Sequence, residues 1–195
     1  YGSTRYPGKP LARQTGKFLI QHVVEQAAKA RRAGRVVVAT DDQRIFDAVR
    51  SFGGQAVMTA HTHHSGTDRI AEVMRKTEFA AASVVVNVQG DEPLMDPQLV
   101  HSVAAMLAAQ PAASMATAAH AIASLEDFHN PNVVKLVLDA HGCASYFSRA
   151  PIPCSRDLRG TEWWSGAAER AQPRVGSLAG FTPLRHIGIY SYRAA

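Results

Sequence analysis

The stretch Val84-Val85-Val86-Asn87-Val88-Gln89-Gly90-Asp91-Glu92-Pro93-Leu94 constrains this chain most. It opens as a β-branched run, apolar on both faces, the pattern of a parallel strand covered by helices on either side. The run then breaks into Gln-Gly-Asp-Glu-Pro. Gly90 removes Cβ crowding, Pro93 ends the hydrogen-bond ladder, and two carboxylates stand at the carboxyl end of the strand. In open α/β sheets that end is where ligands bind. A carboxylate there suits Mg²⁺, which takes one or two protein carboxylates and completes its octahedron with phosphate oxygens and water. The plainer reading is that Asp91 and Glu92 cap the helix beginning near Pro97 or lie in a solvated turn.

The flanking sequence repeats one grammar. Apolar residues at helical spacing predict a helix over 18–33, with Leu19, Val23 and Ala27 on one face, ended by Gly34. A short strand follows over 36–39 and runs into Asp41 and Asp42. A second amphipathic helix carries Ile45, Phe46, Val49 and Phe52, and a weaker strand spans 55–58. Ser65 and Asp68 form a capping box for a helix over 68–76, and Leu99, Val100, Val103, Met106 and Leu107 mark another helix. This alternation predicts a largely parallel, doubly wound α/β sheet. After residue 115 the pattern changes to extended segments over 115–122 and 133–138. A turn at 139–142 and a returning strand over 144–148 make a hairpin, with Arg149 just past it. A last strand restarts at His186 and places His186 and Tyr190 on one face.

A chain of 195 residues, 46% of them hydrophobic, is long enough for one domain with a sizeable core. Cys143 and Cys154 have no metal-ligand spacing, and His61, His63 and His64 read as a surface loop. No apolar run reaches bilayer length, so a membrane role is not expected. The net charge of +5 fits anionic small molecules, and no nucleic-acid signature accompanies it. The first eleven residues are basic and punctuated by Gly and Pro. Backbone N–H groups together with Arg5 and Lys9 are equipment for gripping a triphosphate, although the Walker A spacing is missing.

Several stretches in order carry a resemblance: Gly2-Ser3-Thr4-Arg5 with Pro7-Gly8-Lys9-Pro10-Leu11, Val38-Ala39-Thr40-Asp41, Ser65-Gly66-Thr67-Asp68-Arg69, Val86-Asn87-Val88-Gln89-Gly90-Asp91-Glu92-Pro93, Asn130-Pro131-Asn132-Val133-Val134-Lys135, Tyr146-Phe147-Ser148-Arg149-Ala150 and Arg185-His186-Ile187-Gly188-Ile189-Tyr190. Together they resemble the 3-deoxy-manno-octulosonate (KDO) cytidylyltransferase family over essentially the whole chain. The resemblance implies a three-layer, glycosyltransferase-A-like nucleotidyltransferase fold with a mostly parallel central sheet and a β-hairpin sugar-binding subregion. It implies an Mg²⁺-dependent, homodimeric enzyme that makes CMP-KDO and pyrophosphate from CTP and KDO for lipopolysaccharide synthesis. The chain's lack of a signal-peptide pattern makes a cytoplasmic location the default expectation. By motif position, Ser3, Arg5 and Lys9 would grip the triphosphate, with Arg5, Lys9 and Asp91 as the catalytic set. Asp91 would bind the metal, Gln89 and Ser65 would lie near the nucleoside, and Arg149, His186 and Tyr190 would face the sugar acid.

The alternatives are a cytidylyltransferase for another acidic sugar, such as a sialic acid, or a non-catalytic CTP- or anion-binding module. Two departures from the family stand out. Its first strand would precede Tyr1, and its second metal-binding Asp would follow Ala195, so a single domain over 1–195, truncated at both ends, is expected. The match is also poor over 157–184, which is expected to be a flexible loop within the aperiodic span 151–183.

Overall fold

The computed structural model describes residues 7–31, 33–76, 79, 82–153 and 183–194. They fall into two compact units, Tyr1–Thr117 with Gly188–Ala195, and Ala118–Ile187. A 3₁₀ turn, Lys9–Leu11, is followed by α1 (Leu19–Ala28), β1 (Val37–Thr40), α2 (Gln43–Ser51), β2 (Gln55–Met58), α3 (Gly66–Met74), β3 (Val84–Asn87) and α4 (Pro97–Ala109). Then come β4 (Met115–Ala121), α5 (Leu125–His129), β5 (Lys135–Leu138), β6 (Ala144–Ser148) and β7 (Leu184–Arg193).

In the first unit, side-chain caps fix where helices start. Asp42, Ser65 and Asp96 accept hydrogen bonds from the main-chain N–H groups of Arg44, Asp68 and Gln98. Because Asp96 is the cap of α4, neither Asp91 nor Glu92 is spent on that helix. Helix α1 stops at Ala28, five residues short of the expected end. Lys29 and Ala30 donate to the carbonyls of Gln26 and Ala27, and these i→i+3 bonds unwind its last turn. Ile20, Val23, Ile45 and Val49 form the core, and Leu11, Phe18, Val38 and Val88 pack against it. The basic loop, the first helix and the carboxyl end of β3 are thereby anchored to one apolar cluster.

The sheet departs from the expected mostly parallel arrangement. β1 and β2 are parallel, with Val37 opposite Gln55 and Thr40 opposite Met58. β3, however, pairs antiparallel with β7, Val84 opposite Arg193 and Asn87 opposite Tyr190. Strand–helix alternation fixes strand direction through crossover connections. β7 is reached after a long excursion from β3, so that rule does not govern its direction. All four residues of β3 are half-buried rather than fully enclosed. A slot of about 890 Å³, lined by Val38, Val73, Val85 and Val86 together with Arg69 and His101 among others, runs beside it.

In the second unit, β5 and β6 are antiparallel, with Lys135 opposite Ser148 and a register shift between Val137 and Leu138. The connecting turn is closed by Asp139, whose Oδ1 accepts from the N–H groups of His141 and Cys143, both at 2.8 Å. Gly142, at φ 78°, takes the left-handed position that a Cβ would strain. β5 also pairs with the Leu184 and Arg185 end of β7. Ile122, Phe128 and Val133 are the core. β7 begins at Leu184 rather than near His186, so the expected loop over 157–184 ends sooner, and 157–182 lie outside the described residues. Helix α5 went unexpected, although its cap pair, Ser124 and Asp127, was visible in the sequence. Among the described residues no helix is long and apolar enough to cross a membrane.

Candidate active site

The first unit gathers its chemistry at the carboxyl end of β3. Gly8 adopts φ 71° and ψ 12°, a left-handed conformation natural to glycine, and turns the chain into the Lys9–Leu11 turn. Leu11 seats that turn on the core, and Lys9 reaches away from it. Its Nζ donates to Asp91 Oδ2 at 2.8 Å, joining residues 82 apart in sequence. Beyond β3 the chain turns through Glu92 N–H to Gln89 carbonyl, 3.2 Å, which sets Asp91 at the tip. The position where Gly90 would carry a Cβ is 3.4 Å from Ile20 Cδ1, so helix α1 closes on this turn. The Lys9 and Asp91 side chains are 36% and 51% exposed. A pair so solvated contributes roughly 0–1 kcal/mol to stability. It can therefore be exchanged for a ligand at small cost.

Ser65 forms the expected capping box: its hydroxyl accepts from Asp68 N–H and donates to Asp68 Oδ2 at 2.7 Å, opening α3. Thr67 of the same turn meets the Tyr192 hydroxyl at 3.0 Å, and Tyr190 and Tyr192 stack at 6.2 Å between centroids. Burial, reinforced by Tyr192, pushes the Tyr190 phenol above its ordinary value, so it is a neutral donor at physiological pH. Gln89 Cγ lies 3.9 Å from where a side chain at Gly188 would begin. Gln89, Ser65 and Tyr190 thus belong to the same unit as Asp91.

The carboxylates after β1 have structural partners. Asp41 Oδ2 takes Arg69 Nη2 at 2.8 Å, while Arg69 Nη1 donates to Thr59 Oγ1 at 2.5 Å, tying the ends of β1 and β2 to α3. Asp42 caps α2, and its bond to Arg44 draws its carboxyl down to about 2. His63 Nε2 meets Glu72 Oε2 at 2.5 Å, and no cluster of three metal-ligating side chains occurs among the described residues.

In the second unit, Arg149 follows β6 and donates from Nη1 to the Pro131 carbonyl at 2.8 Å. Lys135, with no exposed surface, donates to the carbonyls of Asn130, Val133 and Arg149 at 2.9, 2.7 and 2.7 Å. His186 packs edge-on against Phe147 at 5.1 Å, and burial holds its imidazole below the ordinary value, hence neutral at pH 7.

The sequence profile of the cytidylyltransferase family matches residues 1–195. The chain is 54% identical over 192 residues to the 3-deoxy-manno-octulosonate cytidylyltransferase of Verminephrobacter eiseniae, covering 98% of this chain and 69% of that protein. It is 52% identical to the protein of the same name from Cellvibrio japonicus, covering 100% and 72%. A solved structure of CMP:2-keto-3-deoxy-manno-octonic acid synthetase complexed with CTP superposes with a TM-score of 0.81 at 42% identity, covering 100% of this chain and 70% of that one. The chain belongs to the 3-deoxy-manno-octulosonate cytidylyltransferase family.

Of the site residues expected for this cytidylyltransferase, Lys9 and Asp91 are in direct contact. Ser65, Gln89 and Tyr190 share their unit, whereas Arg149 and His186 lie in the other. Ser3 and Arg5 lie outside the described residues. The reading of the sequence missed two residues that organise the cytidylyltransferase locally. Arg69 and Lys135 each stand at the end of a motif it did quote, but Lys135 heads a strand whose pattern gives no hint of burial.

Proposed function

We propose that this cytidylyltransferase transfers CMP from CTP to the anomeric hydroxyl of KDO, releasing pyrophosphate. The observation that carries it is the Lys9–Asp91 contact at the carboxyl end of β3, in a chain 52–55% identical to enzymes of that name. The sugar oxygen bonds to the α-phosphorus as the bridging P–O bond to the β-phosphate breaks, and the hydroxyl proton passes to water. No covalent enzyme intermediate is needed, so the protein's task is positioning and charge neutralisation. Lys9 can leave its solvated pair to follow the triphosphate. Asp91, freed of helix capping and half exposed, suits a divalent ion that completes its shell with phosphate oxygens. Bound there, Mg²⁺ would neutralise charge on the phosphates.

Arg149 offers a fork matched to the sugar-acid carboxylate. A neutral His186 is suited to a sugar hydroxyl rather than to a second ion pair, and the Tyr190 phenol is a donor of the same kind. Ser65 and Gln89 are assigned to the nucleoside. A homodimer is part of the proposal: β6 carries Tyr146 at 61% exposure, on the face opposite Phe147, as surface that a second copy would cover. The test is pyrophosphate release with CTP and Mg²⁺ against a panel of sugar acids. KDO should give the highest kcat/KM, and equal turnover of a sialic acid would overturn the assignment.

A further inference from the structure

Lysine is almost never fully buried without a partner, because transferring an ammonium out of water is costly. Lys135 is nevertheless completely enclosed at the start of β5. Its three N–H donors are matched by three main-chain carbonyls, those of Asn130, Val133 and Arg149. Those partners are dipoles, none of them a carboxylate. Burial and the neighbouring Arg149 guanidinium pull the Lys135 pKa below the ordinary lysine value, and those dipoles offset the lost hydration.

The geometry connects this cage to one side chain. Lys135 lies opposite Ser148 in the hairpin, so its ammonium reaches the main chain of Arg149 one residue beyond β6. The same ammonium fixes the 130–133 loop through two carbonyls. From within that loop the Pro131 carbonyl accepts the Arg149 guanidinium at 2.8 Å. Arg149 is thus held twice, at its backbone directly by Lys135 and at its guanidinium through the loop that Lys135 ties down.

We infer that Lys135 is a positioning residue for the sugar-acid site, setting the Arg149 fork that receives the substrate carboxylate. The inference rests on the assignment of Arg149 to that carboxylate. It extends that reading by placing a residue with no access to substrate in control of affinity for one substrate and not the other. A fork preset in this way loses less freedom when the anion docks, and the gain is specific to the carboxylate-bearing ligand. Lys135 itself, with all its donors committed, makes no contact with the sugar acid.

The experiment compares Lys135→Met, Lys135→Gln, Arg149→Ala and the double variant Lys135→Met/Arg149→Ala by pyrophosphate release. Each Lys135 substitution should raise KM for KDO about tenfold, the scale seen when partners that orient a ligand are removed, with KM for CTP within about twofold of the parent. The double variant should be no worse for KDO than Arg149→Ala alone, since one residue acts through the other. A Lys135 variant that loses kcat or melting temperature while both KM values stay put marks a purely structural staple and overturns the inference, as does an additive double variant. If Arg149→Ala itself leaves KM for KDO unchanged, it is the carboxylate assignment that fails. Where neither Lys135 variant folds, the parent decides by ¹⁵N NMR. The solvent-protected ammonium resonance of Lys135 should move on saturation with KDO and not with CTP; a resonance indifferent to KDO overturns the inference.

Discussion

Two lysines in this chain meet their partners in opposite ways. Lys9 holds Asp91 directly but at the solvent surface, with side chains 36% and 51% exposed, in a contact that water and salt weaken. Lys135 is sealed from water and held by three carbonyls, none of which can leave without stranding a buried charge. The first arrangement is suited to exchange, since a phosphate or a metal ion can replace either member for less than about 1 kcal/mol. The second is suited to permanence, since an unsatisfied buried partner costs about 1–3 kcal/mol and more for a charge. A triphosphate that arrives and leaves as pyrophosphate requires the first, and a fixed carboxylate fork requires the second.

The comparison breaks most visibly at Asp91. Asp91→Asn keeps the size of the side chain and removes its charge, so the fold should persist while kcat/KM falls by well over about 10-fold. Activity within twofold of the parent, with an unchanged circular dichroism spectrum, would remove Asp91 as a metal ligand. A smaller effect sharpens the contrast between the lysines. Lys9→Met should change unfolding free energy by less than about 1 kcal/mol in urea titration. Lys135→Met should lose at least about 1–3 kcal/mol in the same experiment. Equal losses would mean that the solvated pair is structural after all.

The smallest expected effect is a pH dependence at α2. The folded-state carboxyl of Asp42 is drawn down to about 2, chiefly by its bond to Arg44, against about 3.9 in an unfolded chain. A carboxyl depressed on folding contributes stability above the unfolded value and loses it as pH falls through the folded one. Asp42→Asn keeps a good helix cap but not the charge. The melting temperature of the parent should therefore exceed that of the variant near neutrality, and the gap should close between about pH 4 and pH 2. A gap that is constant across that window would assign the difference to shape rather than charge.

Much of this was legible along the chain, wherever the deciding interaction is short-range. Ser65 with Asp68 announces α3, Ser124 with Asp127 announces α5, and Val84 to Asn87 announces a strand. The change from valines to Gly90-Asp91-Glu92-Pro93 placed carboxylates at its carboxyl end. Periodicity and caps act within a few residues, and sequence reports them directly. What the chain order could not report is which distant groups meet. β3 pairing antiparallel with β7 joins Asn87 to Tyr190, and nothing local encodes that direction.

Asp41 and Asp91 look alike in sequence, each an aspartate just past a strand. Tertiary structure gives Asp41 to Arg69 and Asp91 to Lys9. Lys135 is the sharpest case. In Asn-Val-Val-Lys-Leu-Val nothing local marks it as buried, because lysine is normally paired with water. Its burial depends on three carbonyls brought together by a loop, a hairpin and the residue after it. Residue type and spacing determined the kind of chemistry available to this protein. The fold decided which charges stay in water to be exchanged and which are withdrawn from it to hold the site in place, because desolvation depends on the surroundings that the whole chain assembles.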